Sequence, residues 1–210
     1  MQAEKLIEKY YGGQGELLEL LLRHSCDVRD KALEAARRHP ELGLDSDFVA
    51  EAAMLHDIGV IFTDAPGIHC HGTAPYLYHG LLGGAFIRQL AEAGEIPADK
   101  TEAYARVCER HTGAGITAGE LMKAGNGAQH IQGSATIGEG RVITVETEIN
   151  TATDFFPETT EEKLICWADK FFSKSKPEKE KTTEQAIKSL AKFGQEGVER
   201  FKEWNGLFEI

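Results

Sequence analysis

The segment AAMLHDIG at 52–59 is small and apolar until its last turn, where His56 and Asp57 stand side by side ahead of Gly59. Such a run reads as a buried helix, and burying two ionisable groups without compensation is expensive. A bound cation removes that cost, because neutral imidazole and carboxylate are both good ligands. The partial negative charge at a helix C-terminus favours a cation as well. Gly59 permits a sharp exit from the helix. A chain built this way has to fold around something polar in its interior.

The same placement recurs along the sequence. His24 follows an apolar run in LLLRHSCDV, and His79 sits in YLYHGLLGG with Gly80 leaving room beside it. His111 ends a helix in VCERHTGAG, and Asp169 lies within the strongly apolar LICWADKFF. Five helices thus each offer an imidazole or a carboxylate from a largely apolar surface. Each alone has an ordinary explanation: a lone buried His bonds to the core, and a lone Asp pairs two helices. Their joint occurrence in the order His, His-Asp, His, His, Asp is much harder to explain by packing.

Most of the chain reads as helix. Residues 15–38 carry apolar side chains at helical spacing and end before Pro40. Residues 45–57 open with Asp45 or Ser46 as an N-cap. Helices are expected at about 75–92, 98–111, 117–124, 158–173 and 183–204, and residues 60–74 read as loop. The Gly-rich stretch 125–156 breaks the pattern. There HIQGSATI and the alternating, β-branched RVITVETEIN flank GEG, which predicts a β-hairpin. Relative to a compact helical core at about 15–175, this stretch reads as an insertion, either a lid over a cleft or a surface or dimer element. The run KSKPEKEKTT is a charged connector. The expected architecture is a single all-α domain over 1–210, a helical bundle with a small hairpin insertion.

The 210 residues hold 34 Asp plus Glu against 23 Lys plus Arg, a net charge of −11. That balance disfavours duplex nucleic acid, whose phosphates need clustered cations, and an anionic membrane surface. The N-terminus shows no apolar signal region, and no stretch approaches the roughly 18 apolar residues of a membrane span. Cys26, Cys70, Cys108 and Cys166 form no CxxC pair, so they are expected to be reduced packing residues of a cytoplasmic protein.

The ordered set His24, His56-Asp57, Asp169, with LHDIG at its centre, resembles the signature of the HD-domain metal-dependent phosphohydrolase superfamily. His79 and His111 resemble the extra histidines of its dinuclear subgroup. That subgroup includes the bacterial HD-type diadenosine tetraphosphate hydrolases, which the HisThrGly at 111–113 most resembles. The resemblance implies one metal held by His24, His56, Asp57 and Asp169, and a second held by His79, His111 and Asp57. It implies one or two divalent ions, iron, manganese or zinc, and a metal-bound hydroxide attacking a phosphate ester or anhydride of a nucleotide or similar small molecule. Asp57 and Asp169 would then be catalytic.

Members often carry a Lys directly after HDIG, and here that position is Val60. Lys170 and Arg110 are the candidate replacements for contact with substrate. His69 and His71, two apart in the loop TDAPGIHCHGTAPYLYHG, would face the same way in an extended chain and are further candidates. His39 and His130 look incidental. Alternatives are a non-hydrolytic metal- or nucleotide-binding sensor and an HD-type di-iron oxygenase, and the chain is compatible with a homodimer.

Overall fold

The structure is a computed structural model that describes residues 3–175 and 179–209. Its elements run α1 (Ala3–Tyr11), α2 (Glu16–Arg38), α3 (Ser46–Leu55), β1 (Thr63–Ala65), β2 (Cys70–His71), β3 (Ala74–Pro75), α4 (His79–Glu92), α5 (Thr101–Arg110), α6 (Ala118–Ala124), β4 (His130–Ile137), β5 (Arg141–Glu148), α7 (Thr160–Asp169), α8 (Thr183–Leu190) and α9 (Gln195–Phe208).

The core is a stack of helices. α2 buries Leu17, Leu21, His24, Val28, Ala32 and Ala35, a stripe repeating at three- and four-residue intervals, which turns one face inward. It packs against α3 and α7, while α4 packs against α5. Local signals set the helix starts. Asp45 accepts from the Phe48 amide at the head of α3, and Thr159 accepts from the Glu162 amide at the head of α7. The close approaches depend on glycine. A Cβ on Gly59 would lie 2.2 Å from the His79 carbonyl oxygen, and one on Gly80 would lie 2.6 Å from the Cys108 carbonyl oxygen. The exit of α3 is thereby pressed against α4, and α4 against α5.

The all-α expectation is corrected: the fold mixes helix with two small sheets. Residues 60–74, read as loop, hold β1, which pairs antiparallel with β2 and parallel with β3. Strands of two or three residues are too short to show an alternating pattern, so the sequence carried no signal for them. The other sheet is the antiparallel pair β4–β5, in register from His130 opposite Glu148 to Ile137 opposite Arg141. Its Ile131, Ala135, Ile137 and Val145 are buried, and the hairpin docks on α4. The run expected as one helix over 183–204 divides in two, because Gly194 at φ 120° leaves the helical region.

Candidate functional site

Three ends of helices and one mid-helix position converge on Asp57. Its carboxylate is wholly buried just past the end of α3. Oδ2 lies 3.1 Å from His24 Nε2 and 3.1 Å from His56 Nε2. Oδ1 lies 3.2 Å from His111 Nε2 and 3.5 Å from His79 Nε2. Asp169, at the end of α7, reaches His24 Nε2 at 3.0 Å and His56 Nε2 at 3.6 Å. All six residues predicted from the sequence are therefore brought together, and all are buried.

The imidazoles are oriented from behind. His56, His79 and His111 each place Nδ1 2.6–2.7 Å from a backbone carbonyl, those of Ala53, Tyr76 and Cys108. A carbonyl only accepts, so each Nδ1 carries the hydrogen, and the neutral rings of His79 and His111 turn the lone pair of Nε2 inward. Backing of this kind fixes tautomer and orientation in ligand histidines. It also brings His79 Nε2 within 3.0 Å of His111 Nε2, a repulsive approach unless a proton or another cation lies there. His24 Nδ1 and Nε2, His56 Nε2 and both oxygens of Asp57 are buried without a well-aligned hydrogen bond. Unsatisfied buried atoms of both signs are costly. Two sets, His24–His56–Asp57–Asp169 and Asp57–His79–His111, hold donor atoms that all lie within 4.8 Å of one another, a fit for a metal ion.

The electrostatics are coupled. Burial opposes ionisation of Asp57, but Lys174, His56, His111 and His24 hold its carboxyl well below the usual range. Asp169 is likewise held down against burial by Lys170, His24 and His56. Burial pushes the His56 imidazole down, yet Asp57 and Asp169 outweigh it and raise it to about 9. Burial and the neighbouring His111 take His79 the other way, to about 3. The centre thus separates a proton-holding imidazole from a neutral one.

The centre opens onto a cleft of about 1120 Å³ walled by Ala65, Gly67, Ile68, Tyr76, His79, His111–Thr117, Asp169, Lys170, Phe172–Ser175, Lys181 and residues of the start of α9 including Arg200. Lys170 lines it, with Nζ donating to Asp169 Oδ2 at 2.6 Å and to the His111 carbonyl at 2.9 Å. Arg110 lies elsewhere: it pairs with Glu158 at 2.7 Å and bonds the Phe156 carbonyl. His69 pairs with Glu16 at 3.1 Å, and His71 is exposed at β2, so neither is part of the cleft wall. No hairpin residue lines it either. The side chain that sequence reasoning missed is Lys174, whose Nζ is 2.5 Å from Asp57 Oδ2. It falls in the run read as a charged connector, where one lysine among several carries no mark of its role.

No family model matches the chain, and no solved structure matches it. It is similar to a tRNA (cytidine(56)-2'-O)-methyltransferase of Picrophilus torridus, 28% identical over 155 residues. The match takes in 74% of this chain and 32% of that protein, so the chain spans about a third of the length of the curated relative. This finding overturns several expectations. The relative bears the name of a transferase acting on tRNA. The identification as an HD-type phosphohydrolase, and with it hydrolysis of a phosphate ester or anhydride, is therefore withdrawn. So are the sensor and di-iron oxygenase alternatives. Iron, manganese or zinc as the cofactor, and a small nucleotide as the partner, are withdrawn with them, since a relative named as a tRNA methyltransferase points to a methyl donor and to RNA. The exclusion of nucleic acid on net charge is corrected too. A net charge of −11 sums the whole sequence, while Lys170, Lys174, Lys181 and Arg200 stand on the wall of one cleft against Glu120, Asp169 and Glu196. Among the described residues, no helix is long and apolar enough to cross a membrane.

Proposed function

We propose that the chain is a domain serving tRNA modification in the cytoplasm, with the Asp57–Asp169 cleft as its functional site. The observation that carries this reading is the similarity, over 74% of the chain, to a protein named as a tRNA 2'-O-methyltransferase. The activity of that whole protein comes to this chain as a proposal. The cleft has two occupants in this reading: a nucleotide unit of RNA along the lysine-bearing wall, and a cationic group at the histidine–aspartate centre. A cation at the centre is supported by the inward lone pairs of His79 and His111 and by the two depressed carboxylates. The sulfonium of a methyl donor such as S-adenosylmethionine has that positive charge.

The chemistry asked of the residues follows from the name of the relative. In a 2'-O-methyl transfer, the ribose oxygen forms a bond to the methyl carbon as the carbon–sulfur bond breaks, and the hydroxyl proton leaves for a base. His79, held at about 3, is too weak a base to keep that proton, so in this reading the proton passes to solvent in the cleft. Asp57 and Asp169 balance the positive charges, and Lys170 anchors Asp169.

The test is to incubate the purified chain with a tRNA transcript and methyl-labelled S-adenosylmethionine, and to measure tRNA retention on filters in parallel. Retention that is lost on replacing Lys170 and Lys181 supports the reading, with or without methyl transfer by this piece alone. Absence of both retention and transfer removes it.

A further inference from the structure

We infer that Lys174 is a built-in placeholder: its ammonium occupies the cation position of the Asp57 centre, and a cationic ligand enters by displacing it into the cleft. This rests on the proposed reading of the centre as one that receives a cationic group.

The geometry singles Lys174 out from the other lysines of the cleft. Lys170 directly follows the last residue of α7 and is held on two sides, by Asp169 and by the His111 carbonyl. Lys181 donates to the backbone carbonyls of Lys170 and Phe172, at 3.1 and 3.5 Å. Lys174 lies in neither a helix nor a strand, five residues beyond Asp169, and sends its side chain back into the centre. Its Nζ meets Asp57 Oδ2 at 2.5 Å, with the lysine side chain 12% exposed and the aspartate 0%. Its other side-chain partner is the hydroxyl of Tyr76, whose ring stacks on His79 at 4.6 Å and 20°. Both Tyr76 and Lys174 also line the cleft, so the ammonium has open space of about 1120 Å³ into which to withdraw.

Charge balance argues for exchange over coexistence. Asp57 and Asp169 supply two negative charges, and Lys170, Lys174 and the proton-holding His56 three positive ones. A further cation against Asp57 would sit within a few ångströms of the Lys174 ammonium in a buried setting, where like charges repel far more strongly than in water. With Lys174 withdrawn, the entering cation takes over the oxygen it held and meets the inward lone pairs of His79 and His111, which an ammonium, as a donor at one point, satisfies less completely.

Calorimetric titration of the full chain tests this, with MnCl₂ alone and S-adenosylmethionine alone as the two probes. Wild type is compared with Lys174→Met, Lys174→Gln and Lys174→Arg, each checked for folding by circular dichroism. The inference expects Lys174→Met and Lys174→Gln to bind S-adenosylmethionine about tenfold more tightly than wild type, with Lys174→Arg staying close to wild type. A gain confined to MnCl₂ would overturn the sulfonium as the entering cation. If all four proteins bind a probe equally well, the centre receives a cation but Lys174 is no placeholder. If none binds either probe, the placeholder and the cation-receiving reading both fall.

Discussion

Asp57 gathers more of the site than any other side chain, meeting His24, His56, His79, His111 and Lys174 within 3.5 Å. Replacing it with Asn leaves a buried ammonium and a raised imidazole without their counter-charge. Breaking a buried pair on one side costs about 3–5 kcal/mol, so Asp57→Asn should lose that much stability in urea unfolding, and a loss under about 1 kcal/mol would contradict the placement. The imidazoles set the response to pH. His79 is held at about 3 in the folded chain against 6.5 ordinarily, so between those values the unfolded chain takes up a proton that the folded chain refuses. Stability therefore falls as pH drops through that window. His56 is raised from 6.5 to about 9, so the folded chain keeps a proton that the unfolded chain releases, and stability falls as pH climbs through that upper window. Urea midpoints measured from pH 4 to 9 should peak near 6.5, with His79→Gln flattening the acid limb and His56→Gln the alkaline one. The six converging residues were legible in the sequence because each ends or interrupts an apolar helical run. Lys174 was not, since its neighbours in sequence are other charges and its partner is 117 positions away.

The helices that carry the site are held by local devices that can be removed singly. Thr159 caps α7 through the Glu162 amide, and α7 ends at Asp169. Thr159→Ala should cost about 1 kcal/mol, read as a fall in thermal midpoint with the helix otherwise intact. Gly59 is more severe, because the neighbouring atoms are backbone. A Cβ there would meet the His79 carbonyl oxygen at 2.2 Å and the Gly83 nitrogen at 2.3 Å. Gly59→Ala should push α4 away and cost about 3 kcal/mol, the upper end for overpacking; a stability change near zero would mean that α3 and α4 do not touch there. At this scale the sequence told long helices well and short elements poorly. α2, at 23 residues, repeats its apolar stripe several times. α1, at 9 residues, completes little more than two turns, and no element was expected there. β1, β2 and β3 pair through contacts that no run of two or three residues encodes. The hairpin strands, at eight residues each, alternate long enough to be read.

Over the whole molecule, acidity and the proposed RNA binding are reconciled by where the charges sit. Few cations line the cleft, and several already have partners: Lys170 on Asp169, Lys174 on Asp57, and Arg200 on the Ala114 carbonyl and over the Phe156 ring. Contact with RNA should therefore neutralise only two or three phosphates. With about 0.7 counterions released per phosphate of a single strand, the plot of log affinity against log salt should have a slope of about −1.5 to −2. A much steeper slope would mean a broad basic surface elsewhere on the molecule. The central claim, that RNA lies in the cleft beside Asp57 and Asp169, is tested most directly by photo-crosslinking a thiouridine-substituted tRNA transcript to the protein and mapping the modified peptides. The account predicts crosslinks to the cleft wall, at 112–117, 170–175 and 193–200. Crosslinks confined to other faces, or none at all, would contradict it.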